Sequence, residues 1–264
     1  MEAGTGQVND TNFKFLRRFN VAMCVLHLVQ AAAIFALSND YSVTLTTSFL
    51  KRLPGVELPE TVLEGLYDLR LGPMVAVFLL ISAIAHFIMA SPFGFPWYVR
   101  NLKKQTNYLR WYEYSLSASL MVVLIAILSG VYDAPTLVLL FVLTAVMNFF
   151  GLMMELHNQT TEMTNWTAYI YGCIAGMVPW IIIFWYFSAA FASAEGAIPT
   201  FVYYILASLF ILFFSFAMNM FLQYKKVGPW KDYLFGEKVY MILSLVAKSA
   251  LAWQVFGGIL ARSL

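Results

Sequence analysis

Seven segments of this chain are long and apolar enough to cross a bilayer, and they constrain its fold more than any other feature. A spanning helix needs about 20 predominantly apolar residues. The chain is 61% hydrophobic and 11% charged, whereas soluble domains carry about 25% charged residues. The segments are continuously apolar, which excludes the alternating pattern of a membrane β-barrel. They run over Phe19–Leu37, Leu71–Ala90, Tyr108–Ser129, Pro135–Leu156, Trp166–Ala189, Pro199–Leu222 and Val239–Leu260.

The sequence therefore predicts an all-α membrane protein, a seven-transmembrane helix bundle formed by a single domain over residues 1–264. Most connections are short, which favours antiparallel neighbours. The exception is the first outer loop, residues 38–70. Its stretch Tyr41–Phe49 is rich in Thr, Ser and Val, and Pro54 with Gly55 is a turn signal. This pattern predicts a small β-hairpin, with an irregular loop as the alternative.

Basic residues are distributed unequally between the two ends of the predicted bundle. Nine lie on the amino-terminal side and four on the other. Because cytoplasmic loops carry the excess of Lys and Arg, we expect a cell-membrane protein with a cytoplasmic amino terminus and an extracellular carboxy terminus. The net charge of +2 comes from segment ends, so we expect lipid and not nucleic acid as a partner. The nine are Lys14, Arg17, Arg18, Arg100, Lys103, Lys104, Lys225, Lys226 and Lys231; the four are Lys51, Arg52, Arg70 and Arg262.

Lys248 lies near the middle of the seventh segment, where a charged amine costs about 2.5–3.5 kcal/mol on insertion scales. Holding an aldehyde cofactor as a Schiff base is one standard use of a buried amine. The carboxylate deepest inside the other segments is Glu113, which lies about 5 Å further inward by helical rise. Because side chains lean towards the start of their helix, the sequence predicts that Lys248 pairs with Glu113. The alternative is an ordinary i,i+3 pair between Glu113 and Arg110.

Two histidines and three serines lie in the same inner half as this pair. Each serine is four residues from His86, Glu113 or Lys248, and therefore shares a helix face with that residue. We interpret the set as one polar network. A zinc site is not favoured, because the histidines lie on separate helices without the usual ligand spacing, so we expect no metal. The five residues are His27, His86, Ser82, Ser117 and Ser244.

The outer halves of the segments carry no Asp, Glu, His, Lys or Arg beyond the loop ends. Intramembrane ionisable groups mark ion routes, and here the route stops partway: three turns beyond Glu113 stands Leu124. A proton pump would need titratable groups on both sides of the amine, so the pattern indicates no net pumping. We expect no enzyme either, because no nucleophile–base pair or metal cluster is evident.

Two further patterns have competing interpretations. Thr144, Asn148, Gly151 and Glu155 form a polar stripe on the fourth segment, for which we favour helix packing through small and amide residues. The aromatic residues of the fifth and sixth segments either fill the core or clamp a flat, conjugated ligand. These are Trp180, Trp185, Phe210, Phe213, Phe214 and Phe216.

Two strings of this sequence closely resemble heliorhodopsins: Ser244–Gln254 around the lysine and Arg110–Ser117 on the third segment. The resemblance spans the whole chain and continues in Asn20 and in the segment Gly172–Trp180. It implies that Lys248 binds all-trans retinal covalently as a protonated Schiff base, with Glu113 as counterion. The polar network then lies beside the chromophore, with Ser82 and Ser244 close to the Schiff base and His27 and His86 in the family's polar cavity. Further pocket residues are Ser117, Tyr114, Met147, Asn148, Trp180, Phe210 and Phe213.

The resemblance implies a dimeric light sensor without ion pumping, although some members of the family conduct ions. We expect the proton to stay inside the inner polar network, and we expect an unidentified cytoplasmic signalling partner. Asn148 departs from the apolar residue expected near the chromophore, and Ala118 interrupts a serine run. A light-driven transporter or channel on the same scaffold is the main alternative. A retinal-free membrane protein with a structural Lys248–Glu113 pair is the second.

Overall fold

The computed structural model describes residues 3–52, 54, 58–193 and 198–261, with side chains from residue 12 onward. Within these ranges the chain forms eight α-helices and one two-stranded sheet, and seven of the helices are long and apolar enough to span a membrane. The predicted seven-helix bundle is therefore confirmed. The helices are α1 Ala3–Leu37, α2 Leu71–Ala90, α3 Gly94–Leu102, α4 Tyr108–Leu128, α5 Ala134–His157, α6 Thr167–Ser193, α7 Thr200–Tyr224 and α8 Tyr233–Val255; the strands are β1 Ser42–Lys51 and β2 Glu60–Arg70. A 3₁₀ turn, Gly228–Lys231, precedes α8, and a π turn, Phe256–Leu260, continues it.

Helices α1 and α8 begin well before the apolar segments that predict them. Helix α8 starts at Tyr233, because the side chain of Asp232 caps it by accepting a hydrogen bond from the backbone N–H of Leu234 at 2.9 Å. Helix α1 starts at Ala3, and its candidate membrane span begins at Asn12, before the predicted segment Phe19–Leu37. Phe13 and Leu16 lie in this added stretch and are buried, so it packs against the protein.

The short helix α3 is the element that the sequence does not predict. It has nine residues and links α2 to α4. Its buried side chains Tyr98 and Leu102 pack with Phe13 and Leu16 of α1. The helix therefore covers the end of the bundle at which α1, α4 and α8 begin.

The predicted hairpin is confirmed and covers the opposite end. Strands β1 and β2 pair antiparallel from Ser42 with Arg70 to Lys51 with Glu60. The backbone N–H of Thr46 donates to the carbonyl of Tyr132, between α4 and α5, at 2.8 Å. Of the predicted turn, Gly55 lies outside the described residues, as does Arg262.

The core differs between the half nearest the hairpin and the half nearest α3. The hairpin half is apolar, and Phe78, Leu124 and Leu251 of α2, α4 and α8 are completely buried in it. The buried His, Lys, Arg and Glu side chains of the described chain lie at about the level of Lys248 or nearer to α3. They are His27, His86, Arg110, Glu113, Glu155, Glu237 and Lys248.

Candidate functional site

Lys248 and Glu113 form a buried ion pair at the centre of the bundle. Lys248 Nζ donates to Glu113 Oε1 at 2.9 Å and to Ser244 Oγ at 2.7 Å. Ser82 Oγ donates to the same carboxylate oxygen at 2.6 Å, whereas the hydroxyl of Ser117, one turn along α4, has no hydrogen-bond partner among the described residues. Both charged side chains are less than 10% exposed. Helices α2, α4 and α8 thus hold the amine and the acid in one geometry, with hydrogen bonds that offset part of the cost of burying them.

The two predicted histidines lie together on α1 and α2. Their rings are stacked with centroids 5.6 Å apart and planes 9° apart. His86 Nδ1 lies 2.7 Å from Asn20 Oδ1, and Asn20 Nδ2 donates to the carbonyl of Leu16 at 2.9 Å. Because this second bond fixes which end of the amide faces the ring, Nδ1 of His86 is the donor and Nε2 is left as the acceptor. Neither ring nitrogen of His27 has a hydrogen-bond partner within the described ranges.

An apolar cavity of about 150 Å³ lies between α4, α5, α6, α7 and α8, and Lys248 is part of its wall. Most of the predicted pocket residues line it. Phe210 does not, and instead packs its ring 5.2 Å from that of Trp180. Five predicted polar residues also lie outside the lining, and of these Glu113 contacts the Lys248 amine directly. They are Ser82, Ser117, His27, His86 and Glu113. The predicted lining residues are Tyr114, Met147, Asn148, Trp180, Phe213, Ser244 and Lys248.

Two glycines let large side chains form the cavity wall. A Cβ at Gly151 would come within 2.3 Å of the Trp111 ring, and one at Gly176 would come within 2.5 Å of Met147 Sδ. Such separations are far below van der Waals contact, so a Cβ at Gly151 would require the rigid Trp111 ring to shift, and one at Gly176 would require the flexible Met147 side chain to move. The cavity wall is therefore closely packed and apolar, and it contains one amine. These properties fit a flat, conjugated aldehyde such as retinal.

Polar groups in the wall are few. Asn148 Nδ2 donates to the carbonyl of Thr144 at 2.8 Å and weakly to that of Tyr114 at 3.4 Å. The amide of Asn148 is therefore oriented by backbone carbonyls. The indole nitrogen of Trp180 has no partner among the residues that the structure describes. Lys248 Nζ lies 5.0 Å from the centre of the Tyr114 ring, within the range of a cation–π contact.

Arg110 does not form the alternative pair with Glu113. Its guanidinium forms ion pairs with Glu155 and Glu237 instead, and all three side chains are less than 5% exposed. Trp111 Nε1 donates to Glu155 Oε2 at 2.7 Å. The favoured packing interpretation of the stripe on α5 is therefore incomplete, since Glu155 takes part in a buried ionic cluster.

Sequence reasoning missed several residues of the site. Glu237 precedes the apolar segment Val239–Leu260, so it was not counted as an intramembrane carboxylate. Trp111 and Tyr240 line the cavity, but aromatic residues are so common in this chain that neither gave a distinct signal. In the sequence, only Gly151, a small residue on the polar stripe of α5, indicated that another helix packs closely against α5.

Comparison with known proteins places the chain in one family. A search of curated proteins gives no match. The sequence model of the heliorhodopsin family matches residues 16–260, nearly the whole chain, including every residue of the ion pair and the cavity wall. The chain therefore belongs to the heliorhodopsin family.

Proposed function

We propose that this protein is a light sensor in which Lys248 holds retinal, Glu113 compensates the charge, and no ion is moved across the membrane. Membership of the heliorhodopsin family implies a retinal-binding, rhodopsin-like photoreceptor in a membrane, with the chromophore on a lysine. The observation that carries the residue assignment is the position of Lys248. It is the only buried lysine of the described chain, and it joins the apolar cavity to the carboxylate of Glu113.

All-trans retinal, bound to Lys248 as a protonated Schiff base, would supply the visible absorption and the light-driven isomerisation. The chain's own residues control the charge at this nitrogen. Glu113 provides the negative charge, 2.9 Å away. Ser82 donates to the carboxylate and Ser244 contacts the nitrogen, so both serines orient the pair. The apolar wall keeps water away, which strengthens the electrostatic interaction.

The same geometry supports a transfer in which the proton released by the Lys248 nitrogen stays inside the protein. A proton leaving the Lys248 nitrogen has Glu113 Oε1, 2.9 Å away, as its nearest carboxylate acceptor. His86 and His27 lie beyond it on α2 and α1, and Nε2 of His86 is free to accept. The proton then returns by the same groups. A slow rearrangement of the helices that hold them would be the signal, through a shift between two populations.

The apolar hairpin half supports the absence of net transport. A light-driven transporter needs proton-binding groups on both sides of the Lys248 nitrogen. Between Lys248 and the hairpin, the described core contains Leu124, Ile125, Leu251 and Val255, and no buried Asp, Glu, His, Lys or Arg among the residues described. The transporter alternative therefore has no supporting group in this half.

Orientation and assembly are further parts of the proposal. The nine-to-four distribution of basic residues supports a cytoplasmic amino terminus. The family resemblance supports a homodimer and a cytoplasmic signalling partner.

Protease access to an amino-terminal tag in intact cells tests the orientation, and cleavage from outside would contradict it. The mass of the detergent-solubilised protein tests the dimer, which a monomer mass would contradict.

Substitution of the lysine tests the central assignment. Wild-type protein expressed with retinal should develop a visible absorption band, and Lys248→Ala should show none. Lys238→Ala is the matched control, because this lysine lies on the same helix but outside the cavity. A visible band in Lys248→Ala would show that the assignment is wrong. A colourless wild type would favour the retinal-free alternative.

A further inference from the structure

The Arg110–Glu155–Glu237 cluster has one more acid than base. One guanidinium lies between two carboxylates, and Glu155 and Glu237 are 2% and 0% exposed. The nearest other charges, Lys248 and Glu113, compensate each other. With both cluster acids ionised, the interior would hold one unbalanced negative charge. Such a charge is strongly disfavoured in a medium of low dielectric constant, and a buried acid normally binds a proton instead.

The hydrogen bonds distinguish the two carboxylates. Glu155 accepts from four different groups, which stabilises its ionised form. Glu237 accepts from only two, and its Oε2 is bonded only to Arg110 Nη1, at 2.7 Å. The donors to Glu155 are Arg110, the backbone N–H of Asn107 at 3.0 Å, Trp111 Nε1 at 2.7 Å and the hydroxyl of Tyr233 at 3.1 Å; those to Glu237 are Arg110 and Asn107 Nδ2, at 3.0 Å.

A small cavity lies beside Glu237. Its volume is about 20 Å³, enough for one water molecule. Arg110, Glu113, Glu237 and His86 are all in its wall. Nε of Arg110 is buried and has no hydrogen-bond partner within the described part of the chain. Buried polar groups are normally satisfied, and a water molecule in this cavity, which Arg110 and His86 both line, would supply the missing partner.

We propose that the Arg110–Glu155–Glu237 cluster is a proton-binding site, that Glu237 carries its one proton in the dark, and that the proton has a one-water route to His86. In transfer, the Glu237 O–H gives its proton to the water, which passes one of its own to His86 Nε2. Glu237 becomes a carboxylate and His86 an imidazolium, and the reverse step restores both. The site needs no chromophore, so it does not depend on the proposed light-sensing function.

The groups around Glu237 come from several elements. Burial raises the pKa of the Tyr98 phenol on α3 far above its ordinary value, so Tyr98 stays neutral and cannot change the charge count. Arg110 therefore remains the only cation in direct contact with Glu237 among the described side chains. The surrounding titratable groups are Arg110, Glu113 and Tyr114 of α4, Glu155 of α5, Tyr98 of α3, His86 of α2, and Tyr233 and Tyr240 of α8.

Infrared spectroscopy of the full-length protein in the dark tests the site directly. The C=O stretching band of a protonated carboxyl should be present in the wild type, with or without added retinal. It should disappear in Glu237→Gln and also in Glu155→Gln, because Arg110 then balances the single remaining carboxylate. Glu162→Gln is the control, since this exposed glutamate lies outside the bundle core and should leave the band unchanged.

Conservative variants identify the residue that carries the proton. Glu237→Asp should move the band and Glu155→Asp should leave it in place. A band that persists in both glutamine variants, or that moves with Glu155→Asp, would overturn the assignment. A band whose intensity follows sodium concentration at constant pH would show a cation site instead.

Deuterium exchange tests the route. In D₂O the band should shift as the proton exchanges, and His86→Gln should slow that exchange several-fold, because the acceptor nitrogen is lost. An unchanged exchange rate would overturn the route through His86. A protein that forms no colour with retinal yet shows this band would leave the proton site intact and contradict only the light-sensing function.

Discussion

At the scale of single residues, the site depends on one carboxylate oxygen. Glu113 Oε1 accepts from both Lys248 Nζ and Ser82 Oγ. Two donors on one oxygen favour the ionised acid, and Ser244 supplies a second contact to the amine. A cation at Lys248 is therefore stabilised by a negative charge whose position is fixed by α2 and α4. Either member alone would be a buried, uncompensated charge.

Replacing this acid by its amide should change the colour of the retinal-loaded protein. In Glu113→Gln the size of the side chain is kept but its negative charge is lost, so the cation at Lys248 is no longer compensated. We expect a strong shift of the visible band relative to the wild type. Absorption spectra at constant pH check this, with Glu162→Gln as the control. A band at the wild-type position would exclude Glu113 as counterion.

The depth of each residue in the membrane could be predicted from the sequence, but the rotation of each helix about its own axis could not. A rise of about 1.5 Å per residue placed Lys248 and Glu113 at similar depth, and they are 2.9 Å apart. The contact between Asn20 and His86 depends on how α1 and α2 are turned towards each other, which depth does not determine. Phe210 shows the same limit: it lies at a suitable depth but packs behind Trp180.

At the scale of elements, α4 organises the site because its first two turns carry both ionic centres. Its N-cap, Asn107, accepts from the backbone N–H of Arg110 at 3.1 Å. Arg110 then reaches the cluster, while Glu113 reaches Lys248. The apolar segments predicted these helices because continuous hydrophobicity defines a span. Helix α3 was missed because nine residues are too few to show that signal.

The packing of α4 on α5 at Gly151 should not tolerate a methyl group. The Trp111 ring is rigid and held by its bond to Glu155, so it cannot move away easily from a Cβ 2.3 Å distant. Overpacking of this kind typically costs about 1–3 kcal/mol. Gly151→Ala should therefore lower the thermal stability and the yield of coloured protein.

Gly257→Ala is the matched control, because a Cβ there has no neighbour within 4 Å. Thermal loss of the visible band compares the two variants. Equal stability of Gly151→Ala and Gly257→Ala would contradict the close approach of Trp111 to α5.

The start of α5 offers a second test at the element scale. Asp133 Oδ2 accepts from the backbone N–H and the hydroxyl of Thr136, at 2.9 and 2.6 Å. Loss of such a cap costs about 0.5–2 kcal/mol, so Asp133→Ala should lower the thermal unfolding temperature. Asp133→Asn keeps the accepting oxygen and should remain close to the wild type. If both variants lost the same stability, the cap would not be the cause.

At the scale of the whole molecule, the buried charged side chains of the described residues are confined to one half of the bundle. The α3 half contains two ionic centres, two histidines and a water-sized cavity between them. The hairpin half is filled by apolar side chains such as Phe78 and Leu124. Within the part of the chain that the structure describes, a proton released at Lys248 therefore meets buried carboxylates and imidazoles on the α3 side only. The sequence predicted this asymmetry, because it depends only on where ionisable residues fall along each span.

This asymmetry predicts that light produces no sustained transport. Intact cells expressing the retinal-loaded protein should show light-induced absorption changes but no lasting change in external pH, because the described core between Leu124 and the hairpin has no buried Asp, Glu, His, Lys or Arg to continue the path. Cells expressing Lys248→Ala control for heating and for the cells' own response to light. A sustained pH change that is specific to the wild type and is abolished by a protonophore would contradict the prediction and favour a transporter. Its sign would give the direction of transport, and the apolar packing around Leu124 would then have to open during the photocycle.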